Sequence, residues 1–347
     1  MIFSDNTRID RVNADGDVGG PVLVVRDLTI EFPAAGGSTL TPVNGIDLDI
    51  MPREIVAIVG ESGSGKSLTA RSLLRLVPEP GRIARGRIEL QGRDLANLSE
   101  REMRRVRGRR IAMVFQDPMT ALNPVQSIGA QIAEIIRLHD NVQSSDLRRR
   151  VIALLERVGI ADAANRARNY PHEFSGGMRQ RSVIAMAVAN NPAVLIADEP
   201  TTALDVTVQD QIMGLLRDLN RTAGTSILLI SHNLAVVASL CSRIIVMYAG
   251  RVVEEAPTAT VFAAPEHPYT WSLLRSVPRV DKVAERLRTI EGQPPNPQDM
   301  PTGCKFHPRC AFAEPRCAIS EPPLEEIATN HRVRCWVMMR NARSGQR

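Results

Sequence analysis

Short apolar runs alternate with amphipathic stretches along most of this chain. The runs have the length and composition of strands buried on both faces, and they lie at 55–59, 111–115, 193–197 and 227–230. Two further stretches, 128–139 and 147–158, place apolar residues three and four positions apart, which predicts amphipathic helices. The pattern predicts an α/β core with a helical insert between its two halves.

The start of the chain has a different pattern. Two short strand patterns fall within residues 23–32, and residues 43–50 alternate with Ile46, Leu48 and Ile50 on one face. We expect these segments to form an antiparallel layer that precedes the α/β core.

Composition limits the class of protein. The chain has 347 residues, of which 44% are hydrophobic and 23% charged, as in ordinary globular proteins. Only 3% are aromatic, which argues against base stacking on aromatic platforms, and the net charge of +5 suits an anionic partner without identifying it. Residues 1–20 lack the apolar core of a signal peptide, so we expect a cytosolic chain with a poorly ordered N-terminal tail.

A glycine-rich loop follows the first buried run and precedes a helix pattern. Its spacing is that of a phosphate-binding loop, in which backbone N–H groups and the following helix N-terminus face phosphate oxygens. The lysine can reach the β- and γ-phosphates, and the last serine can bind Mg²⁺. The residues of this loop are Gly60, Glu61, Ser62, Gly63, Ser64, Gly65, Lys66 and Ser67.

Polar residues end three of the other buried runs. Asp198 and Glu199 follow one run, and after a phosphate-binding loop such a pair can hold Mg²⁺ and polarise the attacking water, respectively. His232 follows another run, at the sheet edge where ligands bind, and is assigned a γ-phosphate contact. Gln116 places an amide where Mg²⁺ or the water could lie, although most glutamines at strand ends are surface residues.

Two more segments have possible roles in nucleotide binding. Ser175 can cap a helix whose first turn contains Gly176 and Gly177, which makes a second anion-binding helix end. Phe32 is equally compatible with stacking on an adenine ring and with packing in the core.

In this order, the motifs resemble those of the nucleotide-binding subunit of an ATP-binding cassette (ABC) transporter, over about residues 22–257. The resemblance implies a P-loop ATPase with a mixed central sheet, working as a head-to-tail dimer in which ATP lies between the loop of one subunit and the Ser-Gly-Gly segment of the other. The chain departs from the family pattern at Phe174 and Met178, where leucine and glutamine are usual. The implied roles are general base for Glu199, γ-phosphate contacts for His232, Ser175, Gly176 and Gly177, Mg²⁺ binding for Ser67, Gln116 and Asp198, adenine stacking for Phe32, and dimer contact for Asp205.

The C-terminal part resembles the extension of oligopeptide and dipeptide importer ATPases, a branch that includes some nickel importers. The resemblance rests on the segments 266–270, of sequence EHPYT, and 304–310, of sequence CKFHPRC. The prolines from 294 to 301 are expected to form a rigid linker before the second segment.

Four cysteines gather in this extension, at Cys304, Cys310, Cys317 and Cys335. Disulfides are rare in the cytosol, and four thiolates suit a [4Fe–4S] cluster or a tetrahedral Zn²⁺. The spacing lacks the close pairs of zinc ribbons, and some peptide-importer ATPases carry a cluster here, so the cluster is favoured over Zn²⁺ and over unligated thiols.

The sequence therefore predicts a cassette over 21–258 with its helical insert at about 119–178, followed by the extension over 259–347. The resemblance implies an ATPase at the cytoplasmic face of the inner membrane that binds ATP and Mg²⁺ and drives peptide import. Its expected partners are a second identical or different ATPase subunit, two membrane permease subunits and, indirectly, an extracytoplasmic solute-binding protein, with no nucleic acid. The alternatives are import of nickel or another small solute, a soluble non-transport ABC ATPase, and a kinase or GTPase outside the family.

Overall fold

The computed structural model describes residues 19–276, apart from Ala203, and residues 290–344. The predicted disorder of the N-terminal tail therefore falls almost wholly outside the described residues. Within them the strands form two sheets. The smaller, antiparallel sheet has the order β2-β1-β4-β5, and its strands are β1 Leu23–Pro33, β2 Thr39–Ile50, β4 Arg82–Leu90 and β5 Arg93–Asp94.

The larger sheet is mixed and has the order β11-β12-β10-β9-β3-β8-β7-β6. Strands β3, β6, β7, β8 and β9 run parallel, whereas β10, β11 and β12 are added by antiparallel pairing. The strands are β3 Ile55–Val59, β6 Ile111–Val114, β7 Val194–Asp198, β8 Ser226–Ile230, β9 Arg243–Tyr248, β10 Arg251–Pro257, β11 Glu325–Ala328 and β12 His331–Val333.

The helices lie outside the two sheets, and several of them lie in the connection that leads from β6 to β7 along the chain. Each lies between two strands or follows the last strand, as the order of the chain shows. They are α1 Lys66–Leu73, α2 Glu100–Val106, α3 Pro118–Ala121, α4 Ile128–His139, α5 Ser144–Arg157, α6 Ala163–Arg166, α7 Gly176–Val188, α8 Val206–Ala223, α9 Leu234–Leu240, α10 Thr258–Ala263, α11 Pro268–Arg275, α12 Pro315–Ile319 and α13 Met339–Ser344.

Most of the predicted elements are confirmed. The four apolar runs are strands of the larger sheet, and α4 and α5 fall on the two amphipathic stretches. The two short patterns within 23–32 are one strand, β1, which continues past an irregularity at Asp27, where the backbone φ is 49°. None of the helices in the described residues is long and apolar enough to cross a membrane.

The hydrophobic core has two layers, one on each face of the larger sheet, and β3 is buried between them. Ile55, Ala57 and Val59 point into a core that includes α4, α5 and α8, whereas Val56 and Ile58 point into a core shared with the small antiparallel sheet. The ends of β3, β6, β7 and β8 are thereby fixed along one edge of the sheet, which is where the candidate site lies.

A buried carboxylate joins the C-terminal residues to the cassette. Glu254, on β10, is fully buried and accepts hydrogen bonds from the backbone N–H groups of Glu266 (2.8 Å) and His267 (3.0 Å). Its Oε1 also lies 2.9 Å from Nε2 of His331, on β12. Burial alone raises the pKa of Glu254, but these hydrogen bonds outweigh it and hold the pKa below its ordinary value.

Replacing this carboxylate tests its contribution to stability. We expect Glu254→Gln to lower the free energy of unfolding by about 2 kcal/mol at pH 7, because buried donors lose part of their acceptor. Since the pKa of Glu254 is lowered on folding, its contribution is present at neutral pH and is lost as the pH falls through the folded-state pKa. Urea unfolding at pH 7 and at pH 3.5 measures both effects.

The control is Glu314→Gln, at an exposed carboxylate that pairs with Arg316, which we expect to change stability by less than about 0.5 kcal/mol. Equal stabilities for Glu254→Gln and the wild type at pH 7 would show that the Glu254 carboxylate does not stabilise the fold.

Candidate active site

The glycine loop joins β3 to α1 in a conformation that only glycine tolerates at two points. Gly60 has a φ of 152°, and a Cβ there would lie 2.2 Å from the carbonyl oxygen of Met247. Gly65 has a φ of 99°, and its Cβ would lie 2.7 Å from the carbonyl oxygen of Pro42. The loop is therefore fitted closely between β9 and β2, and side chains at these positions would displace it.

Lys66 is the first residue of α1 and folds back over the loop. Its Nζ donates hydrogen bonds of 2.8 Å to the carbonyl oxygens of both Gly60 and Glu61. Lys66 is only 6% exposed, and this burial lowers its pKa against the opposing effect of Glu199, Asp198 and Glu61. A cation is thus held at the centre of the loop, as binding of an anion requires.

The residues assigned to Mg²⁺ are partly together. The Ser67 hydroxyl donates to Oδ1 of Asp198 at 2.9 Å, across the gap between α1 and the end of β7. Asp198 is 1% exposed, and burial raises its pKa, with the charge of Glu199 adding to the effect. A hydroxyl and a carboxylate in contact are oxygen ligands of the kind that Mg²⁺ prefers.

Glu199 is the centre of a second group of polar residues. Its Oε2 accepts hydrogen bonds from Nε2 of Gln116 at 2.9 Å and from the hydroxyl of Thr202 at 2.9 Å. Nδ1 of His232 lies 3.3 Å from the same oxygen. Glu199 has a φ of 46°, so the backbone turns sharply after β7 and directs the carboxylate along the sheet edge. Strand ends β6, β7 and β8 thus supply Gln116, Glu199 and His232, as predicted.

Thr202 was not identified from the sequence as a site residue. It lies in the turn after Glu199, three residues along the chain, where its hydroxyl can return to the carboxylate. The direction of this hydroxyl depends on the backbone conformation at Glu199, which the pattern of residues does not specify.

Ser175, Gly176 and Gly177 lie at the start of α7. Ser175 caps α7 by accepting a hydrogen bond from the Met178 N–H at 3.3 Å, as predicted. A Cβ on Gly177 would lie 2.7 Å from Val208, in the first turn of α8. Asp205 caps α8 through the Val208 N–H at 2.9 Å. In the described part of the chain no hydrogen bond joins the segment 175–177 to residues 60–67.

Phe32 lies near the end of β1, where it is partly buried. Its ring packs against the chain at Gly81, where a Cβ would come within 2.4 Å of the ring. The contact explains why a glycine occupies position 81 and fixes the ring at the edge of the antiparallel sheet.

The four C-terminal cysteines line one cavity. Burial raises the pKa of Cys304 to about 11 and that of Cys310 to about 12. The backbone N–H of Cys304 donates to the carbonyl oxygen of Cys317 at 2.8 Å, which holds two of the segments together. The cavity is lined by Cys304, Cys310, Cys317 and Cys335 together with His267, Pro268, Phe306, His307, Trp336 and Val337.

None of the four thiols forms a disulfide bond. The side chains described include no group of three or more His, Cys, Asp or Glu arranged to hold a metal ion. The structure thus gathers the four sulfurs around one space without forming a compact ligand set.

The C-terminal extension also contacts the phosphate loop, which the sequence did not predict. The proline segment expected to be a linker lines a cavity with the loop, through Pro294, Pro295, Pro297 and Met300 on one side and Glu61, Ser62, Gly63 and Ser64 on the other. Arg309 pairs with Glu61, and the Tyr269 hydroxyl accepts a hydrogen bond from the Glu61 N–H at 2.8 Å.

Comparison with known proteins identifies the family of this chain. Residues 43–202 match the family described as ABC transporter, and residues 253–317 match the family described as oligopeptide/dipeptide transporter, C-terminal region. The oligopeptide transport ATP-binding protein OppD of Bacillus subtilis is 46% identical over 319 residues, which cover 91% of this chain and 89% of that protein. A Brucella ovis protein named as a peptide import ATP-binding protein is 48% identical over 327 residues, covering 91% and 96% respectively.

Solved structures are similar over the cassette. The ATP-binding cassette MJ0796, a dimer in a post-hydrolysis state with ADP and Pi, has a TM-score of 0.60 and 27% identity, covering 68% of this chain and 98% of that one. The structure of cbiO1 from Clostridium perfringens, part of the ABC transporter complex cbiONQ, has a TM-score of 0.60 and 28% identity, covering 70% and 91%. The fold is that of an ABC ATPase. The chain belongs to the family of ABC transporter ATP-binding proteins, in its oligopeptide/dipeptide transporter group.

Removing the lysine of the loop tests whether this site binds nucleotide. We expect Lys66→Ala to weaken MgATP binding by at least about tenfold, because a buried charge-assisted contact to the phosphates is lost. Isothermal titration calorimetry of the purified chain measures the affinity for MgATP. The control is Arg149→Ala, at an exposed position, which should bind MgATP as the wild type does. Unchanged affinity in Lys66→Ala would contradict the assignment of the phosphate loop.

Proposed function

We propose that this chain is the ATPase subunit of an importer of di- or oligopeptides. The observation that carries the proposal is that Gln116 and His232 both face Oε2 of Glu199. Glu199 follows Asp198, which pairs with Ser67. This arrangement can position a water molecule and a phosphoryl group for in-line attack. The names of the relatives support peptides as the solute, and the match to the oligopeptide/dipeptide transporter region supports the same choice.

In the proposed mechanism, residues of this chain position the reactants and compensate charge. The loop residues Gly60 to Ser67 hold the triphosphate, with Lys66 near its β- and γ-phosphates. Glu199 acts as the general base for the attacking water, and His232 contacts the γ-phosphate. Hydrolysis yields ADP and phosphate.

Mg²⁺ would be held by Ser67, Asp198 and Gln116, of which the first two are in contact. When bound, it neutralises charge on the phosphate oxygens. The hydroxyl, carboxylate and amide oxygens fit that ion, and Ser67 and Asp198 are already in contact. Phe32, at the edge of the antiparallel sheet, is proposed to stack on the adenine ring.

Ser175, Gly176 and Gly177 act, in this proposal, on ATP bound by a second ATPase subunit. These residues lie at the capped N-terminus of α7, and a helix N-terminus of this kind can bind the phosphate of a nucleotide, which supports this arrangement. Two subunits, identical or different, would enclose ATP between one loop and the opposing α7 N-terminus. The dimeric state of MJ0796 is consistent with such a pair.

The remaining partners are proposed from the family. Two membrane permease subunits would contact the helical insert and the region of Gln116, and a solute-binding protein would act outside the membrane. With these partners, the proposed location of the chain is the cytoplasmic face of the inner membrane. We treat residues 21–258 as the cassette, with its insert at about 119–178, and 259–347 as the extension.

The four cysteines of the extension are proposed to hold a [4Fe–4S] cluster, with Zn²⁺ as the alternative. Their convergence on one cavity supports a four-sulfur ligand set, which both groups accept. The chemistry of the donors fits, although the described residues form no compact metal-binding group. The cluster or ion would link the segments around Cys304, Cys317 and Cys335.

Exchanging the proposed base tests the function directly. We expect Glu199→Gln to bind MgATP with wild-type affinity and to lose at least about 100-fold in turnover, the range for removing a general base. A phosphate-release assay and a nucleotide titration separate the two quantities. The matched control is Glu156→Gln, at an exposed position on α5. Turnover near the wild-type rate in Glu199→Gln would remove Glu199 from the role.

Metal analysis tests the cysteine site. Protein purified without oxygen is expected to be brown, to absorb in the sulfide-to-iron charge-transfer region and to contain about four iron atoms per chain. Zinc at one atom per chain would support the alternative instead. A colourless protein with neither metal would show that the thiols are unligated.

The identity of the solute is tested in the assembled transporter. The subunits that purify with this chain, placed in vesicles, should hydrolyse ATP faster when the binding protein carries a peptide. Stimulation by nickel and not by peptides would favour the alternative cargo, and purification without any membrane protein would favour a soluble ABC ATPase.

A further inference from the structure

We propose that Arg309, in the C-terminal extension, is a positioning residue for the phosphate loop and that it raises the affinity of this chain for MgATP by holding and neutralising Glu61. The inference rests on the proposed ATPase function, because it assigns a role at the same loop. It concerns a part of the chain that lies outside the nucleotide-binding cassette in sequence, 248 residues beyond the loop.

The ion pair between Arg309 and Glu61 is shielded and bidentate. Nη1 of Arg309 lies 2.8 Å from Oε2 of Glu61, and Nη2 lies 3.2 Å from Oε1. The Arg309 side chain is only 6% exposed and that of Glu61 is 23% exposed. A forked pair of this kind fixes orientation as well as distance, which isolated surface ion pairs do not.

Arg309 is itself held from several sides. Its Nε donates to the carbonyl oxygen of Glu291 at 3.0 Å, and its guanidinium lies 5.8 Å from the centre of the Tyr248 ring. It ends the short 3-10 helix His307–Arg309, in which the Arg309 N–H donates to the carbonyl oxygen of Phe306 at 3.0 Å. The side chain therefore reaches the loop from a fixed platform.

Every polar group of Glu61 is engaged, and two of its partners lie in the extension. Its N–H donates to the Tyr269 hydroxyl at 2.8 Å, and its carboxylate pairs with Arg309. Its carbonyl oxygen accepts from Nζ of Lys66 at 2.8 Å. Because Glu61 is also an acceptor of the loop lysine, fixing Glu61 fixes the position of Lys66.

The Tyr269 contact has its own packing support. Tyr269 is fully buried, and its ring centre lies 4.7 Å from that of Tyr248 and 5.4 Å from that of Phe306. These rings come from α11, β9 and the segment that leads to Arg309. The aromatic group thus joins the extension to the strand that flanks the loop, and it makes the approach of Arg309 to Glu61 rigid.

Charge gives the ion pair a direct effect on nucleotide binding. Glu61 puts a carboxylate into a loop that has to accept the multiply charged anion MgATP²⁻. An unpaired carboxylate in a partly buried place repels such a ligand, whereas Arg309 cancels its charge. Removing Arg309 should therefore weaken nucleotide binding in two ways, by repulsion and by loosening of the loop.

The experiment is a double-mutant cycle on full-length chain. The variants are Arg309→Met, Glu61→Gln and the two together, with the Kd for MgATP measured by a fluorescent ATP analogue and KM and kcat by phosphate release. We expect Arg309→Met to raise Kd and KM about tenfold with kcat within about twofold, a loss typical of one charged contact. Glu61→Gln alone should raise Kd by about threefold, because the charged fork that fixes the loop is lost while the repelling carboxylate is removed. The double variant should match Glu61→Gln and so bind more tightly than Arg309→Met, since Arg309 then has no carboxylate to hold or neutralise.

The matched control is Arg332→Gln. Arg332 also ties the extension to the cassette, through Glu255 on β10, but neither residue touches the loop. The Kd of Arg332→Gln for MgATP should equal that of the wild type. Should Arg309→Met fail to fold, Arg309→Lys replaces it, with an expected loss of about threefold because the charge remains and the fork is lost.

The outcomes separate this inference from the proposed function. If the wild type binds and hydrolyses MgATP while Arg309→Met and Arg309→Lys both match Arg332→Gln, Arg309 has no role at the loop and the inference is overturned. The same holds if the Glu61 and Arg309 effects simply multiply in the double variant. If the wild type itself neither binds nor hydrolyses MgATP, the proposed function fails as well.

Discussion

The parallel pairing of β3, β6, β7 and β8 is the constraint on which the site depends. It brings the phosphate loop, Gln116, Asp198 with Glu199, and His232 to one edge of the sheet, although they are spread over about half of the chain. The pairing is fixed by strands that are buried on both faces, so the two cores and the site are consequences of the same apolar runs. A shift of one strand would separate the carboxylate of Glu199 from its partners on the neighbouring strands.

The sequence predicted the residues of this edge well, since each motif is local. A glycine loop between a strand and a helix, or an acidic pair after an apolar run, can be recognised from about ten neighbouring residues of sequence. The contacts of Glu199 with Gln116 and His232 follow once the strands are parallel neighbours. Likewise, Ser175 could be placed at a helix start because capping is a short-range interaction.

Other features could not be predicted because they depend on distant parts of the chain. Nothing near Glu61 indicates that its carboxylate meets Arg309, or that the proline segment lies against the loop. The addition of β11 and β12 to the larger sheet is a second example. A third is the burial of Glu254, on β10, against the residues that follow this strand. Such pairings depend on how the extension folds back over β9 and β10. A pattern of apolar residues does not encode that path.

The central claim is that ATP is enclosed between the phosphate loop of one ATPase subunit and the Ser175 segment of another. The most direct measurement is a structure of the assembled transporter with MgATP, prepared with the Glu199→Gln variant. The account predicts that Oγ of Ser175 lies within hydrogen-bonding distance, about 3 Å, of a γ-phosphate bound by the opposing subunit. A nucleotide-loaded assembly in which Ser175 faces solvent, away from any γ-phosphate, would contradict it.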